Sequence, residues 1–167
     1  MSGRGGGWPE IAAACEQLLN HYSDSKGLIH SVSYSFAKYL ERRLGSDRVL
    51  APSAAERQRA LVQFRESNRP LVLLSPALGS GIDLPFDLCR WVVIPKLPFP
   101  DKSDPLQALL QSTPTGKQVT YMEVMIGIEQ MAGRAVRDVE DWGETVILDT
   151  NWGGWFRHAA KKYAEEW

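Results

Sequence analysis

The residues with most capacity for chemistry lie in Gln130-Met131-Ala132-Gly133-Arg134-Ala135-Val136-Arg137, where an amide, a glycine and two guanidiniums recur at spacings of three and four. On a helix, Gln130, Gly133, Arg134 and Arg137 fall on one face within two turns, and Met131, Ala132, Ala135 and Val136 supply apolar contact elsewhere on the surface. Such a stripe suits a polyanion. Arginine stays charged and offers a planar fork to phosphate oxygens, and a glycine between two such forks lets a phosphate or a neighbouring backbone approach. The same spacing also describes a solvated helix face that carries two arginines for no special reason, so the choice rests on the rest of the chain.

A second constellation is Ser75-Pro76-Ala77-Leu78-Gly79-Ser80-Gly81-Ile82-Asp83-Leu84. Gly79 and Gly81 allow close approach of backbone to a phosphate, Ser75 and Ser80 can donate to one, and Asp83 can accept from a ribose hydroxyl or hold an arginine. By itself this pattern is also a tight turn with a capping aspartate. Its position before the arginine stripe favours the functional reading.

The elements that must position these groups follow from the pattern of apolar residues. Residues 9–22 place Ile11, Ala14, Leu18 and Leu19 at helical spacing behind Pro9, which suits a docking helix. Residues 27–32 read as a buried strand, 34–44 as a helix ended by Gly45, and 48–50 as a second strand. A helix over 54–65 with Ser53 as cap, strands at 71–74 and 91–94, and a proline-broken stretch before a helix at 106–111 come next. The spacing then predicts a helix over 119–136, a strand at 144–148 and a last helix at 155–165. The strands are apolar throughout rather than alternating, as a parallel sheet covered on both faces requires, so the expected architecture is a three-layer α/β domain with helices between the strands. Ligands of such domains bind beyond the carboxyl ends of the strands. That rule points to residues 31–33, 75–83 and the approach to the arginine stripe.

Composition narrows the function classes. At 167 residues the chain suits one domain that folds without staples, and 44% hydrophobic with 23% charged residues is ordinary for a globular protein. A net charge of −1 shows no broad basic excess, so any nucleic-acid binding must be local. Cys15 and Cys89 form no CxxC pair and read as buried hydrophobes in a reducing compartment rather than metal ligands. No apolar run reaches the ~18 residues of a membrane span. Residues 1–8 read as a flexible arm and 9–167 as the folded lobe.

With these residues in place, the chain resembles motifs V and VI of superfamily 2 helicases: Gly81-Ile82-Asp83 after a strand, then Gln130-x-x-Gly133-Arg134-x-x-Arg137 before a terminal strand. Residues 27–40 resemble the motif IV region. The Val92-Val93-Ile94-Pro95-Lys96-Leu97-Pro98-Phe99-Pro100 segment and the long insertion before the arginines are most similar to the XPD/DinG-like branch. The likeness covers nearly all of the chain after Gly27 and corresponds to the second RecA-like lobe, a fold of P-loop NTPase type. It implies that Arg134 and Arg137 reach across a cleft to ATP phosphates, Arg137 in preference as arginine finger, with Gln130 positioning the γ-phosphate or attacking water. Gly81 and Asp83 would couple the nucleotide to bound DNA, and Ser31, Ser33, Ser75 and Ser80 would contact the backbone of single-stranded DNA. A DNA-repair context fits that branch, with residence in the nucleoid of a prokaryote or the nucleus of a eukaryote. One departure is Ser80, which stands where the branch usually has glutamate.

Much of a motor is absent from this sequence. ATP hydrolysis needs a phosphate loop and a carboxylate that completes the magnesium site. The nearest match, Thr113-Pro114-Thr115-Gly116-Lys117-Gln118, lacks the earlier glycine, has Gln after Lys and follows no strand, so it reads as a loop. ATP and Mg2+ would be held mainly by a first RecA-like lobe, in cis or in trans, and an iron–sulfur cluster, which in the branch belongs to that lobe, is not expected here. The chain alone is expected to be catalytically silent. A non-catalytic nucleic-acid-binding or regulatory module is the main alternative, although binding alone does not require Gln130, Arg134 and Arg137. An RNA-directed relative is disfavoured by the Leu97-Pro98-Phe99 region. Trp152, Trp155, Tyr163 and Trp167 could stack on bases but fit core packing better, and His30 fits a hydrogen-bonded structural role. Arg42, Arg43, Arg57, Arg59, Arg65 and Arg69 read as a solvated basic face.

Overall fold

The computed structural model describes residues 7–76, 82–101, 103–136 and 139–160. Helix α1 (Trp8–His21) opens with Pro9 in its first turn, where a missing N–H costs nothing, and buries Ile11, Ala12, Cys15 and Leu19. Strand β1 (Gly27–His30) is buried along its whole length and leads into α2 (Tyr34–Leu44). The start of α2 is fixed by Ser33, whose hydroxyl accepts from the Phe36 amide at 3.2 Å. Its end is fixed by Gly45 at φ 54°, the left-handed conformation that glycine adopts without strain, with its N–H on the Glu41 carbonyl at 3.0 Å. Strand β2 (Val49–Leu50), helix α3 (Arg57–Glu66), β3 (Val72–Ser75) and β4 (Trp91–Ile94) follow. Helices α4 (Pro105–Gln111) and α5 (Pro114–Ala132), strand β5 (Glu144–Ile147) and α6 (Arg157–Ala160) complete the described chain.

All five strands are parallel and lie in the order β2-β3-β1-β4-β5. In register, Leu28 faces Leu73 and Val92, and Ile29 faces Leu74 and Val93. Because successive side chains point to opposite faces, the first trio joins one core and the second the other. Leu28, Leu73 and Val92 pack with α3 and α5, while Ile29, Leu74 and Val93 pack under α1 and α2. This is the expected three-layer arrangement. Gly27 is required by close approach, since a Cβ there would lie 2.1 Å from the ring of Trp91, a fully buried side chain.

Local departures from expectation have identifiable causes. The crossover from β3 to β4 carries no α-helix among the described residues; residues 82–90 run extended over the sheet with a single turn at Phe86–Leu88. Phe86 sits at φ 54° and its amide donates to the Asp141 carboxylate at 3.0 Å, which helps hold a conformation unusual for a non-glycine. The segment 113–118, expected as a loop, is the start of α5: Thr113 caps it by accepting from the Gly116 amide at 3.0 Å. Gly116 belongs there because a Cβ would lie 1.8 Å from the Leu110 carbonyl at the end of α4. Helix α3 starts three residues after Ala54, where expected, because Ser53 and Glu56 bond each other in a preceding turn, Oγ to Oε2 at 2.6 Å. At the terminus the anchor is Phe156, fully buried, with Trp152 packed beside it across a kink at Gly154; Tyr163 and Trp167 lie outside the described residues.

Candidate functional site

The sheet changes direction at β1: the chain places β3 on one side of it and β4 on the other, so the carboxyl end of β1 is the switch point where α/β domains open a ligand crevice. That end is His30-Ser31. The Ser31 amide donates to the Ser75 carbonyl at 3.2 Å, and His30 is in register with Ser75, which brings the ends of β1 and β3 together.

The last turn of α5 lands on the same edge. The helix stops at Ala132, four residues short of the expected Val136, where Gly133 donates to the Glu129 carbonyl at 2.8 Å and ends the ladder. Consequently Gln130 and Arg134 do not lie on one continuous helical stripe: Gln130 is exposed on the last turn of the helix, whereas Arg134 is in the following turn and turned inward. Arg134 is 9% exposed and its Nη1 donates to the Ile82 carbonyl at 2.8 Å. One arginine of the motif thus ties the glycine-aspartate segment to the end of α5. Arg137, Gly81 and Ser80 lie outside the described residues.

His30 belongs to this cluster although its sequence context says only strand. Its ring is buried near the Arg134 guanidinium and the backbone of Met131, the penultimate residue of α5. Burial, and next the Arg134 guanidinium, push its pKa down to about 4, with the Met131 backbone opposing them, so the ring is neutral near pH 7. The available signal was position: a histidine that ends a central strand faces the ligand edge.

The proposed serine contacts are placed less openly than their types suggest. Ser31 and Ser75 are 3% and 2% exposed. Ser33 is half-buried and already caps α2, with its Oγ 3.0 Å from that of Ser35. Asp83 is exposed and its carbonyl accepts from Nη2 of Arg65 at 3.0 Å; Arg65 is itself exposed, on the solvated face expected of it. Arg48 has a structural role: its fork donates to the carbonyls of Leu19, Tyr22, Ser25 and Pro70 and joins α1 to the entry of β3.

Among the described residues no three His, Cys, Asp or Glu side chains cluster as a metal site, and no helix is long and apolar enough to cross a membrane. Two described cavities, of about 280 and 390 Å³, lie away from this edge, beside β2 and around Lys26 and Arg90.

Residues 16–163 match the family described as the helicase C-terminal domain. The chain belongs to that family. Among curated relatives, an ATP-dependent DNA helicase YoaA of Haemophilus influenzae is 27% identical over 141 residues, covering 81% of this chain and 21% of the relative. The YoaA of Escherichia coli is 29% identical over 107 residues, 60% of this chain and 17% of the relative. This helicase C-terminal domain thus spans about a fifth of the length of the relatives it matches. Among solved structures it is similar to S. tokodaii Xpd4, with a TM-score of 0.67 at 19% identity over 91% of this chain and 32% of that one. An XPD helicase gives 0.65 at 23% identity over 93% and 30%. The C-terminal domain of the DEAD-box protein Dbp5 gives 0.60 at 19% identity over 93% and 78%. At these identities the likeness establishes the fold, a RecA-like helicase domain with a five-stranded parallel sheet.

Proposed function

We propose that this domain is the second motor lobe of an ATP-dependent DNA helicase, working against a first RecA-like lobe that grips the triphosphate and its magnesium. The observation that carries the reading is the fixing of the Arg134 turn, which follows Gln130, to the Ile82 carbonyl of the segment beyond β3. In a fold of this kind the carboxyl edge of the sheet is where ligands sit. The names of the YoaA relatives, ATP-dependent DNA helicases, support the same reading.

The two arginines then divide the work. Arg134, buried against Ile82, sets the position of the turn, and Arg137, three residues on, is the cation that reaches the transferring phosphoryl group bound by the other lobe. Exposed Gln130 faces the same cleft to orient the γ-phosphate or water. An arginine finger stabilises charge on the phosphoryl oxygens in the transition state and is worth ~10³–10⁵ in rate. Single-stranded DNA would run along the edge formed by Ser31, Ser33 and Ser75, with Gly81 and Asp83 relaying its presence, and cleft closure on ATP followed by opening on hydrolysis would advance it. The decisive experiment joins this domain to a matching first lobe and measures DNA-stimulated ATP hydrolysis. Arg137→Ala should lower the rate by about three orders of magnitude; an unchanged rate would overturn the assignment.

A further inference from the structure

Helix α1 ends beside the entries of the strands, where Arg48 gathers the carbonyls of Leu19, Tyr22, Ser25 and Pro70, so its first residue, Trp8, lies toward the opposite, carboxyl edge of the sheet. Helix α2 begins at that edge, directly after β1. The Trp8 ring meets Phe36 and Tyr39 of α2, with centroids 5.2 Å away in both cases and planes tilted by 53° and 48°. At about 1.5 Å of rise per residue, those two residues lie roughly 5–9 Å along the helix from Ser33. Phe36 is fully buried and fixes the seat of the indole, which remains 40% exposed.

We infer that Trp8 is a base-stacking site for single-stranded DNA, continuing the edge formed by Ser31, Ser33 and Ser75. The inference rests on the motor reading and deepens it. Ser31 and Ser75 are 3% and 2% exposed, so their hydroxyls offer a strand little open surface, and a net charge of −1 gives no general pull on phosphates. An aromatic face needs neither charge nor sequence, because every base has a π-face to lay against it. The indole is large, has only two side-chain torsions, and is already seated on Phe36 and Tyr39, so little freedom is lost when a base arrives. Trp8 also precedes residues 16–163, the segment that matches the family, so the contact belongs to this chain and not to the shared motifs. Packing of α1 on α2 alone would be served by any apolar side chain of similar reach, and that contrast defines the test.

The test uses the joined two-lobe protein without nucleotide and measures, by fluorescence anisotropy, its affinity for a labelled thymidine oligonucleotide and for an abasic strand of the same length. Trp8→Leu keeps an apolar side chain against Phe36 and Tyr39 but has no π-face. It should weaken binding of the thymidine strand by about fivefold or more, the lower end of what one base–aromatic stack contributes. Binding of the abasic strand should stay within about twofold of wild type, and the slope of affinity against salt should not change, because no phosphate contact is lost. Trp8→Phe should recover part of the loss. Equal affinity of Trp8→Leu and wild type for the thymidine strand would overturn the inference, as would an equal loss on both strands, the mark of a residue that only pins α1. If the wild-type joined protein binds neither strand, the DNA side of the motor reading itself fails, a result distinguishable from wild-type binding that Trp8→Leu leaves intact.

Discussion

Replacing Arg134 by alanine separates a guanidinium that only waits for phosphate from one that is also built into the fold. In the structure it is 9% exposed and donates to the Ile82 carbonyl at 2.8 Å. A hydrogen bond from a charged donor contributes ~1.5–3 kcal/mol. Arg134→Ala should therefore destabilise the domain by about 2–3 kcal/mol, with some further loss from the aliphatic stem. For a chain of this size each kcal/mol moves Tm by roughly 2–4 °C, so thermal unfolding followed by circular dichroism should shift down by about 5–10 °C in the absence of any nucleotide. Arg134→Lys should fall between, because a lysine keeps the charge but not the planar fork. If Arg134→Ala unfolds within about 1 °C of wild type, as an ordinary surface substitution would, the side chain is not anchored to Ile82 and the division of labour between Arg134 and Arg137 is wrong.

Two further outcomes are expected. Arg48→Ala, which strips donors from the carbonyls of Leu19, Tyr22, Ser25 and Pro70, should cost about 2 kcal/mol or more in urea unfolding. Arg69→Ala, whose pair with Asp47 has side chains 57% and 80% exposed, should cost less than about 1 kcal/mol; equal effects would refute the contrast. Stability should also decline as pH falls from 6.5 toward about 4, because the unfolded chain protonates His30 at its ordinary value while the folded chain does not until the lower one. At about 1.4 kcal/mol per pH unit this histidine contributes roughly 3 kcal/mol to the decline, none of it above pH 6.5 and with no further change below 4. His30→Gln should flatten the midpoint-versus-pH profile over that window, and an unchanged slope would show that the ring is not held neutral.

The order and kind of the elements were largely legible from the chain. Continuous apolar runs at residues 71–74 and 91–94 announce strands buried on both faces, and helices α1 and α2 announce themselves by apolar periodicity between Pro9 and Gly45. The motif residues were legible because their types and spacing follow from chemistry that depends on few neighbours. The limits of α5 were not. Its start depends on Thr113 capping an amide across a glycine packed on α4, and its end on Gly133, both of which are contacts between segments rather than properties of a window.

The same division holds at the site. Residue types alone place amide, glycine and arginines near a polyanion, and the apolar strands alone place them on a parallel sheet with a ligand edge. Only the packed structure distinguishes Arg134 from its neighbours in the motif, because burial and the Ile82 carbonyl lie 52 residues away in sequence. It likewise buries His30, to sequence only a strand residue, near Arg134 at the end of α5. Sequence determines which groups are available and in what local rhythm; the tertiary fold decides which of them are desolvated against one another, and desolvation is what makes a charge structural instead of merely present.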